Sequence, residues 1–173
     1  MQLQPHFLVN AMNAVLGLIS QDVKAARRML AQLSQFLRLV LEGSDEQEVT
    51  LEKELHLARL YLEIEQNRFP DRLAVQYHIA PETLGALLPA LLMQPVAENA
   101  VRPGIAPKAG AGELAISTKR QADRLILRVK NNGQGATETA ARGIGLRNLE
   151  SRLAALYGPD YTFAVETAPA CGY

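Results

Sequence analysis

Two amphipathic helices open the chain. From Phe7 to Ile19 the apolar positions recur at helical spacing, with Leu8, Met12, Val15 and Ile19 in one stripe and Phe7, Ala11, Ala14 and Leu18 in a second beside it. His6, Asn10, Asn13 and Gly17 share a polar face at the same spacing. Pro5 suits a first helical turn, where the N–H it lacks would have no intrahelical partner. Ser20 or Asp22 can cap a second helix. In it Val23, Ala26, Leu30, Leu33, Leu37 and Val40 alternate steps of three and four, a coiled-coil-like seam that Gly43-Ser44-Asp45 ends. A hairpin of about 40 residues cannot bury both apolar faces alone, so pairing with a second copy into a dimeric four-helix bundle is expected.

Residues 44–49 are polar and acidic and are expected to form a linker. Thr50 can cap a third helix, with Glu52 and Glu54 favourable in its first turn and Leu51, Leu55, Ala58 and Leu62 on its buried stripe. That helix should end near Phe69-Pro70-Asp71. Leu73–Ile79 alternates and is β-rich, which predicts a strand. Leu87–Val101 is the most apolar stretch, and its length and Leu/Ala content predict a buried helix despite Pro89 and Pro95. Residues 104–112 form a loop. Leu114–Thr118 and Leu125–Val129 flank a polar turn and predict an antiparallel hairpin. Asn131–Arg142 is glycine-rich and expected to be mobile. Gly145–Leu156 is helical, with Leu146, Leu149, Leu153 and Leu156 on one face, and Tyr161–Val165 is a last short strand. This order predicts an α+β fold: a helical hairpin followed by a sandwich with helices on one face of a mixed sheet.

Composition narrows the function classes. Among 173 residues, 18 Lys and Arg balance 18 Asp and Glu, which speaks against nucleic acid as the main partner. The single cysteine, Cys171, forms no internal disulfide and fits a reducing compartment. No apolar run reaches the roughly 18 residues needed to span a bilayer, and no signal-peptide pattern is visible. A cytoplasmic domain is therefore expected.

Four features carry chemistry. An imidazole such as that of His6 is a competent phosphoryl acceptor near neutral pH, and Asn10, one turn on, is placed to hold a phosphate oxygen or a water. Glu98-Asn99 interrupts a helix that is otherwise apolar. Burying either without a partner costs on the order of 1–3 kcal/mol. A hard cation such as Mg²⁺ takes oxygen ligands like the Asn99 carbonyl, and Glu98 can accept a proton. Asn131-Asn132-Gly133-Gln134-Gly135 follows a strand, where glycines allow close backbone approach to a ligand. Gly143-Ile144-Gly145-Leu146 opens a helix, whose free N–H groups attract phosphate, with Arg142 and Arg147 adding charge. Singly, each has an ordinary alternative: an exposed histidine, a solvent-facing helix edge, an Asn-Gly turn, a lone Gly-x-Gly.

Together and in this order they resemble the LytS-type sensor histidine kinases. The matching stretches are Pro5-His6-Phe7-Leu8-Val9-Asn10, Gln94-Pro95-Val96-Ala97-Glu98-Asn99-Ala100 and Gly143-Ile144-Gly145-Leu146-Arg147-Asn148-Leu149. Tyr61-Leu62-Glu63-Ile64-Glu65 with Arg68-Phe69, and Arg152-Leu153 with Tyr157-Gly158, support them. The resemblance covers nearly the whole chain. It implies a dimerisation and phosphotransfer hairpin in residues 1–43, a linker in 44–49 and a GHKL-type ATP-binding domain in 50–173. It implies that His6 is autophosphorylated from ATP, with Asn10 and Glu98 assisting catalysis, Glu98 as base, and Asn99 as the Mg²⁺ ligand. Gly133 and Gly135 match the first glycine box, Gly143 and Gly145 the second, with Arg142 and Leu146 also at the nucleotide. Asn131 stands where the group usually carries an aspartate that reads the adenine amino group, and an uncharged amide accepts more weakly. Arg102-Pro103 stands where Lys or Arg then His is usual before Gly104.

The resemblance further implies a homodimer, a response-regulator partner with the LytTR type as a candidate, and a parent protein anchored in the membrane by an N-terminal sensor region. A last sheet strand is expected near Cys171-Gly172-Tyr173, where the chain stops. Asn131 and Pro103 motivate an alternative, a non-catalytic dimeric signalling module with a degenerate nucleotide site. A serine kinase of the anti-sigma type shares the ATP-site motifs but lacks a histidine hairpin.

Overall fold

The computed structural model describes residues 5–43, 46–68, 73–101, 112–132 and 143–166. Helix α1 (Pro5–Ile19) turns back into α2 (Val23–Gly43) through a tight connection in which Asp22 Oδ1 accepts the Ala25 N–H at 3.0 Å. Asp22 is thus the cap of α2. A short strand β1 (Glu48–Thr50) leads directly into α3 (Leu51–Arg68). Then follow β2 (Leu73–Ile79), a 3₁₀ turn at Pro81–Thr83, β3 (Leu87–Pro89), α4 (Met93–Val101), β4 (Gly112–Gln121), β5 (Arg124–Asn131) and α5 (Ile144–Tyr157).

Among the described residues the main sheet has the order β2-β4-β5, with β2 parallel to β4 and β4 antiparallel to β5. The register puts Tyr77, Ile116 and Val129 abreast on one face. That face packs on the helices, while Gln76, His78, Arg128 and Lys130 point outward to solvent. The expected α+β fold with a mixed sheet covered by helices on one side is therefore present.

The core is continuous from the hairpin into the sandwich. Phe7 of α1, Phe36 of α2 and Tyr61 of α3 meet ring to ring, with Phe7 at 5.3 Å from Phe36 and 5.0 Å from Tyr61. Polar contacts line the same seam: Gln32 Nε2 donates to Glu63 Oε2 at 2.7 Å and Asn67 Nδ2 to Gln32 Oε1 at 3.1 Å.

Four expectations change. The Val23–Val40 seam divides, because α3 takes one side of α2. Ala26, Leu33 and Val40 are buried within the chain, whereas Val23 and Leu30 are exposed. Glu48 and Val49, expected in a linker, are strand residues paired antiparallel with Pro89 and Leu88. Leu87–Val101 is not one helix. Pro89 has no N–H for a helical ladder and ends β3 instead, and Leu91 then takes a positive φ of 62° before α4 begins. Residues 161–166 alternate half-buried and exposed positions but pair with no strand among the described residues.

The broken stretch is held by Glu54 on α3, which is 2% exposed. Its carboxylate accepts the N–H of Leu91 at 2.6 Å and of Met93 at 2.7 Å. Burial raises its pKa above the usual carboxylate range, against those amide donors and the Arg152 charge. Removing the carboxylate strands two buried donors. Glu54→Ala is expected to cost about 3 kcal/mol in urea unfolding followed by circular dichroism, and a loss under about 0.5 kcal/mol would show that water satisfies those amides.

Candidate functional site

Helices α4 and α5 lie side by side and run in opposite directions. Gly143, just before α5, faces Asn99 near the end of α4: a Cβ on Gly143 would sit 3.8 Å from Asn99 Oδ1. Gly145 packs on Pro95, where a Cβ would come within 3.3 Å of the proline's own. At the other end Arg152 Nη1 donates to Ala90 O, ahead of α4. Glycine at 145 thus lets α5 pack closely on Pro95, which brings the start of α5 beside the oxygen of Asn99, while a Cβ at 143 would meet that oxygen only at ordinary contact distance. By helix geometry the N–H groups of Ile144 and Gly145 lie outside the α5 ladder, while Leu146 N already bonds Gly143 O at 3.1 Å. The Leu146 side chain is in the core.

An asparagine oxygen beside two helix-start amides is a fit for an Mg²⁺–phosphate group. Mg²⁺ keeps water and phosphate in its shell and needs only one or two protein oxygens. No group of three or more His, Cys, Asp or Glu that could hold a metal occurs among the described residues, so a metal here depends on such shared coordination.

Glu98 is buried on the same helix, at 8% exposure. Gln94, one turn earlier, donates from Nε2 to Glu98 Oε1 at 3.0 Å. Gln94 Oε1 is buried without a donor among the described residues. Gln94 therefore aims the Glu98 carboxylate, a role signalled in the sequence by the i, i+4 spacing alone. Asn131, at the end of β5, donates from Nδ2 to Ala100 O at 2.9 Å. An aspartate in this place would set carboxylate against carbonyl, two acceptors with no proton between them. The amide at position 131 thus has a structural partner one residue past Asn99. Gly133, Gly135 and Arg142 lie outside the described residues.

His6 is exposed in the first turn of α1, and Asn10 Nδ2 sits 2.9 Å from its Nδ1. With the amide NH₂ facing it, Nδ1 accepts and Nε2 carries the proton. Turning the amide over reverses this and leaves a lone pair on Nε2. The orientation of the Asn10 amide is thus tied to the tautomer of the His6 ring. The adjoining Phe7 is buried against Phe36 and Tyr61, which fixes the His6 end of α1 on the core.

The structure sets Gly145 against Pro95, Gly143 against Asn99 and Asn131 against Ala100 along α4, with Glu98 buried on the same helix, and separately pairs His6 with Asn10. A cavity of about 470 Å³ opens elsewhere, between α3 and the 3₁₀ turn, lined by residues including His56, Arg59 and Pro81. It contains none of these groups. Sequence reasoning missed Glu54 and Gln94 as positioning groups, because their partners are backbone amides and a neighbouring carboxylate.

The family profile described as histidine kinase matches residues 1–73. The sensor histidine kinase YpdA of Escherichia coli K12 is 36% identical over 167 residues, covering 91% of this chain and 29% of YpdA. The sensor protein LytS of Staphylococcus epidermidis is 32% identical over 180 residues, covering 96% of this chain and 30% of LytS. The chain thus spans about 30% of the length of these curated relatives. Among solved structures, the Acinetobacter baumannii histidine kinase AdeS is similar at 17% identity with a TM-score of 0.49, covering 87% of this chain and 84% of that one.

The glycine contacts differ in tightness, and substitutions should separate them. Gly145→Ala is expected to push α5 and Pro95 apart by a few tenths of an ångström and cost about 1 kcal/mol, whereas Gly143→Ala meets Asn99 at ordinary contact distance and its stability should stay within about 0.5 kcal/mol of the parent. Thermal unfolding of both variants checks this, and equal melting temperatures would contradict the close packing at Gly145.

Proposed function

Because this chain belongs to the histidine kinase family, with sensor histidine kinases of the LytS type among its relatives, we propose that it is the kinase core of a two-component sensor. In this reading residues 1–43 are the phosphotransfer hairpin and 50–173 the ATP-binding unit, and the 44–49 connection between them ends in the strand residues Glu48 and Val49. ATP·Mg²⁺ binds at the α4–α5 pair, with Asn99 as metal ligand and the helix-start amides on phosphate. A lone pair on the His6 ring attacks the γ-phosphorus in line. The N–P bond forms, the bond from phosphorus to the ADP oxygen breaks, and the other ring nitrogen gives up its proton to a base, the role assigned to Glu98. The phosphoryl group then passes to an aspartate of a response regulator. The observation that carries this reading is the approach of Gly143 to Asn99, two positions 44 residues apart whose chemistry is useful only if they meet.

An exposed apolar stripe supports the homodimer. Val9, Met12, Leu16 and Ile19 on α1 are 57%, 58%, 65% and 52% exposed and lie at 3-4-3 spacing, with Val23 and Leu30 of α2 also exposed. Such a stripe on a hairpin is what a four-helix bundle buries. No helix of the described residues is long and apolar enough to cross a membrane. In this reading membrane anchoring belongs to a sensor region of the parent protein.

Incubation with γ-labelled ATP and Mg²⁺ tests the kinase reading. Acid-labile, alkali-stable label is expected on the wild type and absent from His6→Gln, while nucleotide bound without any label would favour a non-catalytic signalling module. Leu16→Asp should convert dimer to monomer by light scattering. An unchanged dimer mass would remove the α1 stripe from the interface.

A further inference from the structure

Arg152 and Tyr157 lie at the opposite end of α5 from Gly143, and the phosphoryl-transfer scheme uses neither. Arg152 bridges two carbonyls. Its Nη1 donates to Ala90 O and its Nη2 to Gln47 O at 3.2 Å. Gln47 O also accepts the Ala90 N–H at 3.2 Å. Ala90 opens the turn whose later amides are held by Glu54, so the turn that launches α4 is gripped from both sides, by an anion on its N–H groups and a cation on its carbonyl. Gln47 belongs to the short segment that leaves the hairpin and enters β1. Tyr157, about a turn and a half further along α5, donates its hydroxyl to Glu48 Oε1 at 2.8 Å. Burial and the Glu48 carboxylate push the Tyr157 phenol up to about 12, so it remains a donor across the neutral range.

One helix therefore holds the exit of the hairpin at its C-terminal end and borders Asn99 at its N-terminal end. Gly145 and Arg152 are about 10 Å apart along the axis, and a packed helix transmits a displacement over that length with little bending. We propose that Arg152 is a positioning residue for the nucleotide site: by bridging Gln47 and Ala90 it ties the register of the α4–α5 pair to the segment leaving the hairpin, with Tyr157 as the second tie. The proposal rests on reading the α4–α5 pair as the nucleotide site. A guanidinium suits the task because its planar fork donates in two directions at once, whereas an ammonium is a single point charge. Movement of the hairpin would then reach the phosphate amides through α5 without a contact between His6 and ATP.

The test is equilibrium binding of a trinitrophenyl-ATP probe with Mg²⁺ to the 173-residue chain, well below its melting temperature. Wild type is measured first, then Arg152→Lys and Tyr157→Phe. A wild type that binds no nucleotide overturns the nucleotide reading and this proposal with it. Given wild-type binding, Arg152→Lys is expected to bind about tenfold more weakly and Tyr157→Phe about threefold more weakly, with unchanged far-ultraviolet circular dichroism. A merely structural arginine predicts a lower melting temperature with affinity within twofold of wild type, and that result overturns the positioning role while leaving the nucleotide site intact. Should Arg152→Lys fail to fold, Tyr157→Phe, which removes one exposed hydrogen bond, decides the matter alone: unchanged affinity overturns the proposal.

Discussion

A buried carboxylate on α3 holding the amides of a turn 37 and 39 residues away is the constraint on which the rest depends. Burial penalises its charge, and the backbone N–H groups with the nearby Arg152 offset only part of that penalty, so its pKa stays raised. The bargain fixes where α4 starts and in what direction it points. Glu98 and Asn99 are carried by that direction, and α5 can lay its glycines against α4 only because it is fixed. Electrostatics in the interior thus sets the geometry of residues that have no electrostatic contact with Glu54.

Local pattern made much of the fold legible. The 3-4 spacing of α1 and α2, Asp22 as a cap, the β4–β5 hairpin and the leucine face of α5 all follow from neighbours within a few residues. Thr50 also caps as expected, its hydroxyl accepting the Lys53 N–H at 3.4 Å. What could not be read locally was set by distant partners. Glu54 looks like one more acid suited to a helix start, and only the fold turns it inward. Leu33 looks like a seam residue for a second copy, until α3 supplies a nearer surface. Pro89 argued for a break in Leu87–Val101, but hydrophobicity outweighed it, because the turn that replaces the helix takes its stability from α3 and α5.

The site was legible in a different way. Motif order singled out Asn99, Gly143 and Gly145 without saying why glycine is needed, and the close approach to Pro95 supplies a reason at Gly145. Asn131 looked like a weakened aspartate. Its bond to Ala100 O gives the amide a structural partner that a carboxylate could not have. His6 and Asn10 were paired by helical spacing, and they do meet, but the consequence for the tautomer needs the atoms.

The first turn of α1 contains no acidic residue, so within that turn no carboxylate balances the positive end of its dipole. A phosphoryl group on His6 brings two negative charges to that place. The modified histidine would then be the helix's own missing counter-charge, worth on the order of 0.3–1 kcal/mol at an exposed helix start. A negative charge placed on His6 would thereby report itself as a more firmly wound helix, and its removal as a slight unwinding.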